Sequence, residues 1–307
     1  MTDFQKLSLS DKSIIDSYCC LLDRESCEYC FGNLFGWSNS YAYQYARIGG
    51  ALCLSLKTDN GSEAFMMPLA SNDADLQNAL GFLCIRHNEK ESGLPFSLLC
   101  LSPGDCDRLE RLYPGAFRYE SSRDEDEYVY EADAFRTYAG RAMHSKKNHL
   151  NRFLHLYGAG SYEEISDSNA EECLCMSVAW QRNNEGSGHG TETEEDVIRT
   201  MLKYRKELAL SGGCLRVGGC IAAFTLGEPL AAMPDTVVVH VEKAQYDVTG
   251  AYPAIASLYL QHHPEFRYVN REEDMGLEGL RRSKMSYRPL RFVQKYRAEL
   301  LYPNMLL

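Results

Sequence analysis

The densest group of reactive side chains lies in Tyr268–Pro289, which reads YVNREEDMGLEGLRRSKMSYRP. The pattern predicts a strand that ends near Asn270 and a helix with Arg281 and Lys284 on one face, because these two are three residues apart. Ligands of α/β sheets commonly bind beyond the carboxyl ends of strands, so Asn270 and Asp274 are expected beside these cations. A carboxylate next to cations can deprotonate an amine while an anion is held. The same charges also suit an acidic helix start and a basic helix end, which is a structural alternative.

A second group of ionisable side chains follows the strand pattern VVVHVEKA. Because strand side chains alternate between faces, His240 and Glu242 share one face and Lys243 lies on the other. Gly250 precedes a predicted helix whose N-terminal N–H groups can receive phosphate or carboxylate oxygens. This arrangement indicates a binding or catalytic site, or alternatively an edge strand with one solvated face.

Basic charge is concentrated in two segments without acidic residues. Arg136–Arg152 holds five Lys or Arg, and residues 279–297 hold seven. Outside them, 20 basic residues face 43 acidic ones. The first segment has the helical spacing of an anion-binding helix carrying Lys146, Lys147 and Asn148, or alternatively of an exposed basic linker. If the two segments meet in space, they form a focused anion site.

The composition is that of a globular protein with 307 residues, a hydrophobic fraction of 45% and a formal net charge of −11. This length allows one large domain or two of ordinary size. No apolar run is long enough to span a bilayer and the first residues lack a signal core, so a cytoplasmic protein is expected. The acidic balance excludes general DNA binding but leaves a site for one phosphate-bearing ligand.

The 12 cysteines include Cys27 and Cys30, whose spacing is that of a zinc-ligand pair. No second ligand pair is evident, and apolar residues recur at helical spacing nearby. We therefore favour a helix over residues 11–35, expect no metal site, and expect reduced thiols that act mostly as buried apolar groups.

The elements that must position these groups alternate between α and β patterns. Helices are predicted over residues 73–90, 103–112, 161–180, 192–210, 250–262 and 277–286. Strands are predicted before Pro68 and over residues 41–56, 96–101, 128–130, 214–217, 220–226, 236–243, 266–270 and 291–298, with 128–130 as an edge strand. The polar, glycine-rich residues 181–190 are a predicted loop and a candidate lid.

A short internal similarity suggests a duplication. Arg47-Ile-Gly-Gly50 and Arg216-Val-Gly-Gly219 both lie between two strand patterns, where paired glycines favour a tight hairpin turn. The interpretation is two copies of one α/β unit, with domains at residues 1–133 and 134–307, the second carrying the predicted site.

The motif after the last strand pattern resembles a bacterial family formerly labelled domain of unknown function 2156 (DUF2156). That family is similar to the cytosolic C-terminal domain of phosphatidylglycerol lysyltransferase. Further blocks of resemblance are His240–Ala244 with Gly250–Tyr252, His144–Phe153 and Phe31–Trp37. The matching motif residues are Asn270, Asp274, Gly276, Gly279, Leu280, Arg281, Lys284, Ser286 and Pro289.

The resemblance implies two GNAT-like acyltransferase folds in tandem, each a mixed, mostly antiparallel sheet flanked by helices. It also implies transfer of an acyl or aminoacyl group from aminoacyl-tRNA or acyl-CoA to an amine or a lipid hydroxyl, with no tightly bound cofactor. Two departures matter. The chain has no membrane-spanning flippase region, and Tyr246–Ala251 does not match the acetyl-coenzyme A loop Arg/Gln-x-x-Gly-x-Gly/Ala.

Roles follow as hypotheses. Glu242 or Asp274 would act as the general base, and Tyr252 would protonate the leaving group. The predicted substrate- or donor-binding residues are His240, Lys243, Gly250, Asn270, Arg281, Lys284, Ser286, Lys146, Lys147 and Asn148. Expected partners are a phosphate-bearing small molecule or aminoacyl-tRNA, with transient contact to anionic lipid through residues 136–156. The alternative is a non-catalytic anion-, lipid- or nucleotide-binding protein on the same duplicated fold.

Overall fold

The computed structural model of the protein describes residues 3–22, 24–58, 61–90, 93–183, 192–302 and 305–306. The chain divides into two compact units. The first contains Met1–Glu127 and Val293–Leu307, and the second contains Tyr128–Phe292.

The first unit is a mixed sheet of seven strands with helices. Its strands, numbered along the whole chain, are β1 (Gln5–Lys6), β2 (Gln44–Ile48), β3 (Ala51–Lys57), β4 (Glu63–Met66), β5 (Ser97–Leu101), β6 (Phe117–Ser121) and β14 (Tyr296–Leu300). Its helices are α1 (Lys12–Cys20), α2 (Phe31–Gly36), α3 (Ser38–Tyr41), α4 (Asp73–Lys90) and α5 (Pro103–Leu112). The strand order is β1-β2-β3-β4-β5-β14-β6, and β4–β5 is the parallel pair.

The second unit repeats this design. Its strands are β7 (Glu127–Glu131), β8 (Tyr162–Glu164), β9 (Ser211–Val217), β10 (Cys220–Pro229), β11 (Thr236–Ala244), β12 (Tyr268–Asn270) and β13 (Arg291–Val293). Its helices are α6 (Ala132–Thr137), α7 (His144–Tyr157), α8 (Ala170–Asn183), α9 (Glu192–Lys203), α10 (Ala251–His262) and α11 (Glu278–Met285). The strand order, read from the other edge, is β8-β9-β10-β11-β12-β7-β13, with β11–β12 parallel.

The two sheets therefore correspond strand by strand. The predicted glycine hairpins join β2 to β3 and β9 to β10, at equivalent places in the two sheets. Gly49, Gly218 and Gly219 have positive φ angles, which these tight turns require and which glycine adopts without a Cβ penalty. The duplication inferred from the repeated Arg-x-Gly-Gly is confirmed.

The division of the chain differs from the predicted boundary after residue 133. The predicted strand 291–298 is two strands, and β14 lies between β5 and β6 of the first sheet. The predicted edge strand is also wrong, since β7 lies between β12 and β13 in the second sheet. Consecutive buried residues in β7 show that both of its faces are covered, as in an interior strand.

The predicted helix over residues 11–35 is interrupted. Helix α1 ends at Cys20, and Cys27 begins a single 3₁₀ turn before α2. The backbone N–H of Cys27 and its thiol both donate to the buried carboxylate of Glu127. This long-range contact replaces the helical pairing that the local spacing predicts. All 12 cysteines are free thiols, most of them buried.

Two expectations concern other parts of the chain. The candidate lid falls largely on residues 184–190, which lie outside the described residues. Among the helices that the structure describes, none combines the length and the apolar character needed to cross a bilayer.

Helix α10 is the centre of the second unit. Its residues are apolar on almost every side and most of them are buried, as expected for a helix surrounded by protein. It begins after Gly250, whose φ is +83°. A Cβ atom at Gly250 would lie 2.3 Å from the carbonyl oxygen of His149 in α7. Gly250 thus allows α7 to approach the start of α10, which sets the position of the basic side chains on α7.

Gly250→Ala is expected to lower the free energy of unfolding by about 3 kcal/mol, because backbone strain and a backbone clash add. The matched control is Gly219→Ala, which has a φ of +86° and nothing within 4 Å of the new Cβ. Strain alone should cost that variant about 1 kcal/mol. Urea denaturation of both variants measures the difference, and equal losses would contradict the close-packing role of Gly250.

Candidate active site

The site begins where two parallel strands separate. β11 pairs with β12 only from Thr236 to Val238, although β11 continues beside β10 as far as Ala244. After Asn270 the chain stays beside β7, its neighbour on the other side, and the N–H of Arg271 donates to the carbonyl of Tyr128 at 2.9 Å. The later part of β11, with His240 and Glu242, therefore faces the gap left by the departing strand.

A buried ion pair occupies this gap. Nη2 of Arg271 lies 2.5 Å from Oε1 of Glu242, and their side chains are 14% and 9% exposed. The guanidinium also lies over the rings of Phe135 and Tyr287, at 5.4 and 5.1 Å from the ring centres. Burial raises the pKa of Glu242, while the charge of Arg271 opposes the rise. Such a carboxyl group is suited to taking up and releasing a proton.

The two basic segments meet beside this pair. Nζ of Lys146 lies 4.0 Å from the centre of the Tyr287 ring, which joins α7 to the chain after α11. Burial lowers the pKa of Lys146, and the charge of Arg271 lowers it further. At this contact the first basic segment contributes the cation Lys146 and the second contributes the Tyr287 ring. The neighbouring cation, Arg271, belongs to neither segment. Lys147 and Asn148 are exposed on α7, outside this buried group.

His240 joins three parts of the second unit. Its Nδ1 lies 2.8 Å from Glu272 and its Nε2 lies 3.4 Å from Glu228 on β10. Its side chain is only 2% exposed. Burial alone would lower the pKa of His240, but the two carboxylates raise it to about 9. The imidazole is therefore a cation at neutral pH that bridges the gap between β11 and the chain after β12.

The loop after β12 is held in an unusual conformation. Glu272, Met275 and Gly276 have positive φ angles, which are strained for the two non-glycine residues. The side-chain oxygen of Asn270 accepts the N–H of Glu272 at 2.9 Å. The conformation is thus fixed by contacts rather than by local preference.

Lys284 is the main contact that holds this loop. Its Nζ donates to the carbonyl oxygens of Arg271 at 2.6 Å and Glu272 at 3.2 Å, and also to that of Glu273. The residue is buried, and its ammonium is directed at the backbone. These contacts fit a positioning role for Lys284 better than the predicted role in donor binding.

Asp274 closes the same loop. It accepts hydrogen bonds from the Tyr128 hydroxyl, from the Gly276 N–H at 3.0 Å, and from two nitrogens of Arg281 at 2.8 and 2.7 Å. Burial would raise the pKa of Asp274, but these donors lower it to about 2. A carboxylate held so firmly in its ionised form is a weak base, so the environment favours Glu242 over Asp274 in that role.

Tyr252 and Lys243 both contact Trp180 of α8. Nε1 of Trp180 donates to the hydroxyl oxygen of Tyr252 at 3.1 Å. Nζ of Lys243 lies 3.9 Å from the centre of the Trp180 ring and 2.7 Å from Glu194. Burial, then the neighbouring Tyr246, raises the pKa of Tyr252, which therefore keeps its proton.

Two predicted binding residues lie elsewhere. The N-terminus of α10 at Gly250 faces the His149 carbonyl of α7. Ser286 donates to the carbonyl of Ser283 at the end of α11 and is exposed. Their roles in binding remain predictions, as do those of the other predicted residues.

Sequence reasoning misses four residues of this cluster: Arg271, Glu272, Glu228 and Tyr287. The first two directly follow the predicted strand end at Asn270, and that position was a usable signal. Glu228 is opposite Val238 across the β10–β11 pair, and so reaches His240 diagonally. No local sequence pattern predicts a contact of this kind.

A model of the family described as phosphatidylglycerol lysyltransferase, C-terminal, matches residues 20–299. The chain belongs to this family. The resemblance drawn from the motif around Asn270 and Lys284 is thereby confirmed.

Solved structures agree on the fold. A conserved protein of unknown function from Bacteroides thetaiotaomicron is 34% identical, with a TM-score of 0.88 over 98% of this chain and 100% of that one. The C-terminal (DUF2156) domain of a putative lysylphosphatidylglycerol synthetase from Agrobacterium fabrum is 14% identical, with a TM-score of 0.64 over 97% and 94%. A tandem GNAT protein from the clavulanic acid biosynthesis pathway is 11% identical, with a TM-score of 0.51 over 97% and 98%. The predicted tandem of GNAT-like folds is confirmed.

A curated relative, the uncharacterized protein MYCGA3080 of Mycoplasmoides gallisepticum, is 24% identical over 180 residues. This chain spans 56% of that relative's length. This chain thus combines membership of the lysyltransferase C-terminal family with a tandem GNAT-like fold.

Lys284→Met should lower the free energy of unfolding by about 3 kcal/mol, because three backbone carbonyl oxygens lose a buried, charged donor. The matched control on the same helix is Arg282→Met, whose side chain is 77% exposed and pairs with the similarly exposed Glu278. An exposed pair of this kind contributes less than about 1 kcal/mol. Urea denaturation distinguishes the variants, and similar losses would remove the positioning role of Lys284.

The His240 bridge predicts a dependence of stability on pH. A folded pKa of about 9, above the ordinary 6.5, means that the folded state binds this proton more tightly. The stabilisation is fully present below pH 6.5 and is lost as the pH rises through 9. His240→Gln should therefore lower the free energy of unfolding at pH 6 more than at pH 10. Urea denaturation at both pH values is the measurement, and an equal loss at both would contradict a charged bridge.

Proposed function

We propose that the protein is an aminoacyltransferase that moves an aminoacyl group from aminoacyl-tRNA to an amine or to the hydroxyl of an anionic lipid. The observation that carries the proposal is the buried Glu242–Arg271 pair in the gap between β11 and the chain after β12. It combines a carboxyl group of raised pKa with a fixed cation, which are the two groups that acyl transfer needs.

Glu242 is the proposed general base. The acceptor nitrogen or oxygen attacks the ester carbonyl carbon of the donor and transfers its proton to Glu242. The new bond to the acceptor gives a tetrahedral intermediate with a negative oxygen. When the intermediate collapses, the ester bond to the ribose oxygen breaks, and that oxygen takes up a proton.

Arg271 is the proposed partner of the negative oxygen. A guanidinium has five N–H donors in a fixed plane, and the contact with Glu242 uses the Nη2 end. Phe135 and Tyr287 fix the plane of the group. The half-buried ammonium of Lys146, on α7, adds a second positive charge next to the Tyr287 ring. Charges held in advance in a buried site stabilise a developing oxyanion strongly.

Tyr252 is the proposed acid for the leaving oxygen. Its own oxygen accepts hydrogen bonds from Trp180 and from the backbone of Ala244, so its proton is available for another acceptor. Glu242 is close enough that its charge helps to raise the pKa of Tyr252. The base and the acid thus belong to one connected group of side chains.

Two features favour an aminoacyl ester over an acyl-CoA thioester. The turn after β11 lacks the coenzyme A sequence pattern, and the start of α10 at Gly250 is crowded by the His149 carbonyl.

The exposed residues of α7 supply a surface for the donor's phosphates. Lys147 and Arg152 are exposed, and the helix carries no acidic residue. Phosphate contacts of this kind position a nucleic acid without reading its sequence. They also account for a focused basic surface on a chain with a net charge of −11.

The proposal is tested by incubating the protein with tRNA charged with labelled amino acids, in the presence of either phosphatidylglycerol vesicles or a soluble amine. Labelled acyl-CoA forms a parallel arm. Glu242→Gln and Arg271→Met should each lower the transfer rate by about 10²-fold or more. The control is Glu207→Gln, an exposed acidic residue of the second unit that should leave the rate unchanged.

Circular dichroism and thermal denaturation establish that each variant is folded before its rate is compared. Transfer from acyl-CoA but not from aminoacyl-tRNA would overturn the assignment of the donor. Binding of a donor by the wild-type protein without transfer to either acceptor would overturn the proposed aminoacyltransferase activity. It would favour the alternative of a non-catalytic binding protein.

A further inference from the structure

Tyr246 is an exposed aromatic side chain beside the candidate site. It lies in the turn between β11 and α10 and is 68% exposed, more than any other large apolar side chain among the described residues. The side chain of such an exposed tyrosine is usually free to change its rotamer. The side chain of Tyr246 is instead held by its neighbours.

Two other aromatic residues hold the Tyr246 ring. Its centre lies 6.4 Å from that of Trp180, with the ring planes 25° apart, and 6.2 Å from that of Tyr252. Trp180 is itself only 7% exposed and donates to Tyr252. We define Trp180, Tyr246 and Tyr252 as the aromatic platform.

The platform is anchored by charge as well as by stacking. The ammonium of Lys243 lies 3.9 Å from the centre of the Trp180 ring, a distance at which a cation is attracted to an aromatic face. Glu194 holds that ammonium at 2.7 Å. The Trp180 indole is therefore fixed by a cation, a hydrogen bond and a ring contact. The rigid Trp180 indole therefore supports the ring of Tyr246, which is exposed to solvent.

We infer that the aromatic platform binds a nucleobase, and specifically an adenine, by stacking on Tyr246. A flat π-surface held in advance attracts another planar ring, and stacking on protein aromatics contributes about 1–3 kcal/mol per base. An aliphatic ligand would gain little from a single exposed ring next to the charged side chain of Asp247.

The inference rests on the proposed function in one respect, which is the position of the platform. Tyr252 belongs both to the platform and to the proposed acid–base group. A base bound on Tyr246 therefore lies next to the place where its ester would react. Adenine ends the acceptor strand of tRNA and is also the base of coenzyme A, so both candidate donors carry it.

The experiment measures binding alone, without an acceptor. The chain has two tryptophans, so Trp37→Phe leaves Trp180 as the single tryptophan, whose emission is excited selectively at the red edge of the absorption band. Adenosine monophosphate is titrated into this variant and should quench Trp180 emission, while ribose 5-phosphate should not. Equilibrium dialysis with labelled adenosine monophosphate gives the affinity independently of fluorescence.

Tyr246→Ala should weaken adenosine monophosphate binding by about 5-fold to 150-fold, which corresponds to the loss of one stacked base. Tyr246→Phe keeps the ring and should retain the affinity. The inference is overturned if Tyr246→Ala binds as well as wild type, or if ribose 5-phosphate binds as tightly as adenosine monophosphate.

Two further arms separate this inference from the proposed function. Coenzyme A and a short RNA hairpin ending in CCA are titrated separately, and the one weakened by Tyr246→Ala identifies the source of the adenine. Glu242→Gln should keep its binding of adenosine monophosphate even though it loses transfer. Wild-type protein that binds adenosine monophosphate through Tyr246 but transfers no aminoacyl group would overturn the enzyme alone. Wild-type protein that transfers the group but shows no Tyr246-dependent binding would overturn the platform alone.

Discussion

The contact on which the site depends most is that of the Lys284 ammonium with three consecutive backbone carbonyls, those of residues 271–273. An ammonium group that donates to backbone oxygens is not available to bind a ligand. It does fix the backbone of a loop whose φ angles are locally unfavourable. Glu272 and Met275 keep left-handed φ angles because the surrounding contacts impose them. The side chain of Arg271 is directed into the gap as a result.

Charge in the gap is arranged in pairs. His240 lies between two carboxylates, and Arg271 lies against Glu242. A single buried charge would be very costly, whereas paired and hydrogen-bonded charges are tolerated. The Glu242–Arg271 and His240–Glu272 pairs bridge β11 and the chain after β12, which have no strand pairing with each other beyond Val238. The same contacts therefore stabilise the separated strands and supply the groups proposed for proton transfer.

The duplication allows a comparison between the two units. In the first unit β4 also separates from a parallel neighbour, after Phe65 and Met66 pair with β5. The residues that follow are apolar and buried, including Met67, Leu69 and Ala70. The equivalent stretch of β11 carries His240 and Glu242. The same strand separation thus carries core side chains in the first unit and ionisable side chains in the second. The fold provides the gap, and the side chains determine whether the gap contains groups that could transfer protons.

The sequence by itself determined most of the elements, the glycine hairpins, the duplication and the family, because local periodicity, turn residues and a long motif specify them. It also predicted a candidate site near Glu242 and the end of β12. Only the tertiary structure decided that Lys284 holds backbone, that Arg271 is the partner of Glu242, and that β14 lies in the first sheet. These are pairings between residues distant in the sequence, and local spacing carries no information on which distant partner will satisfy a buried charge or an open strand edge.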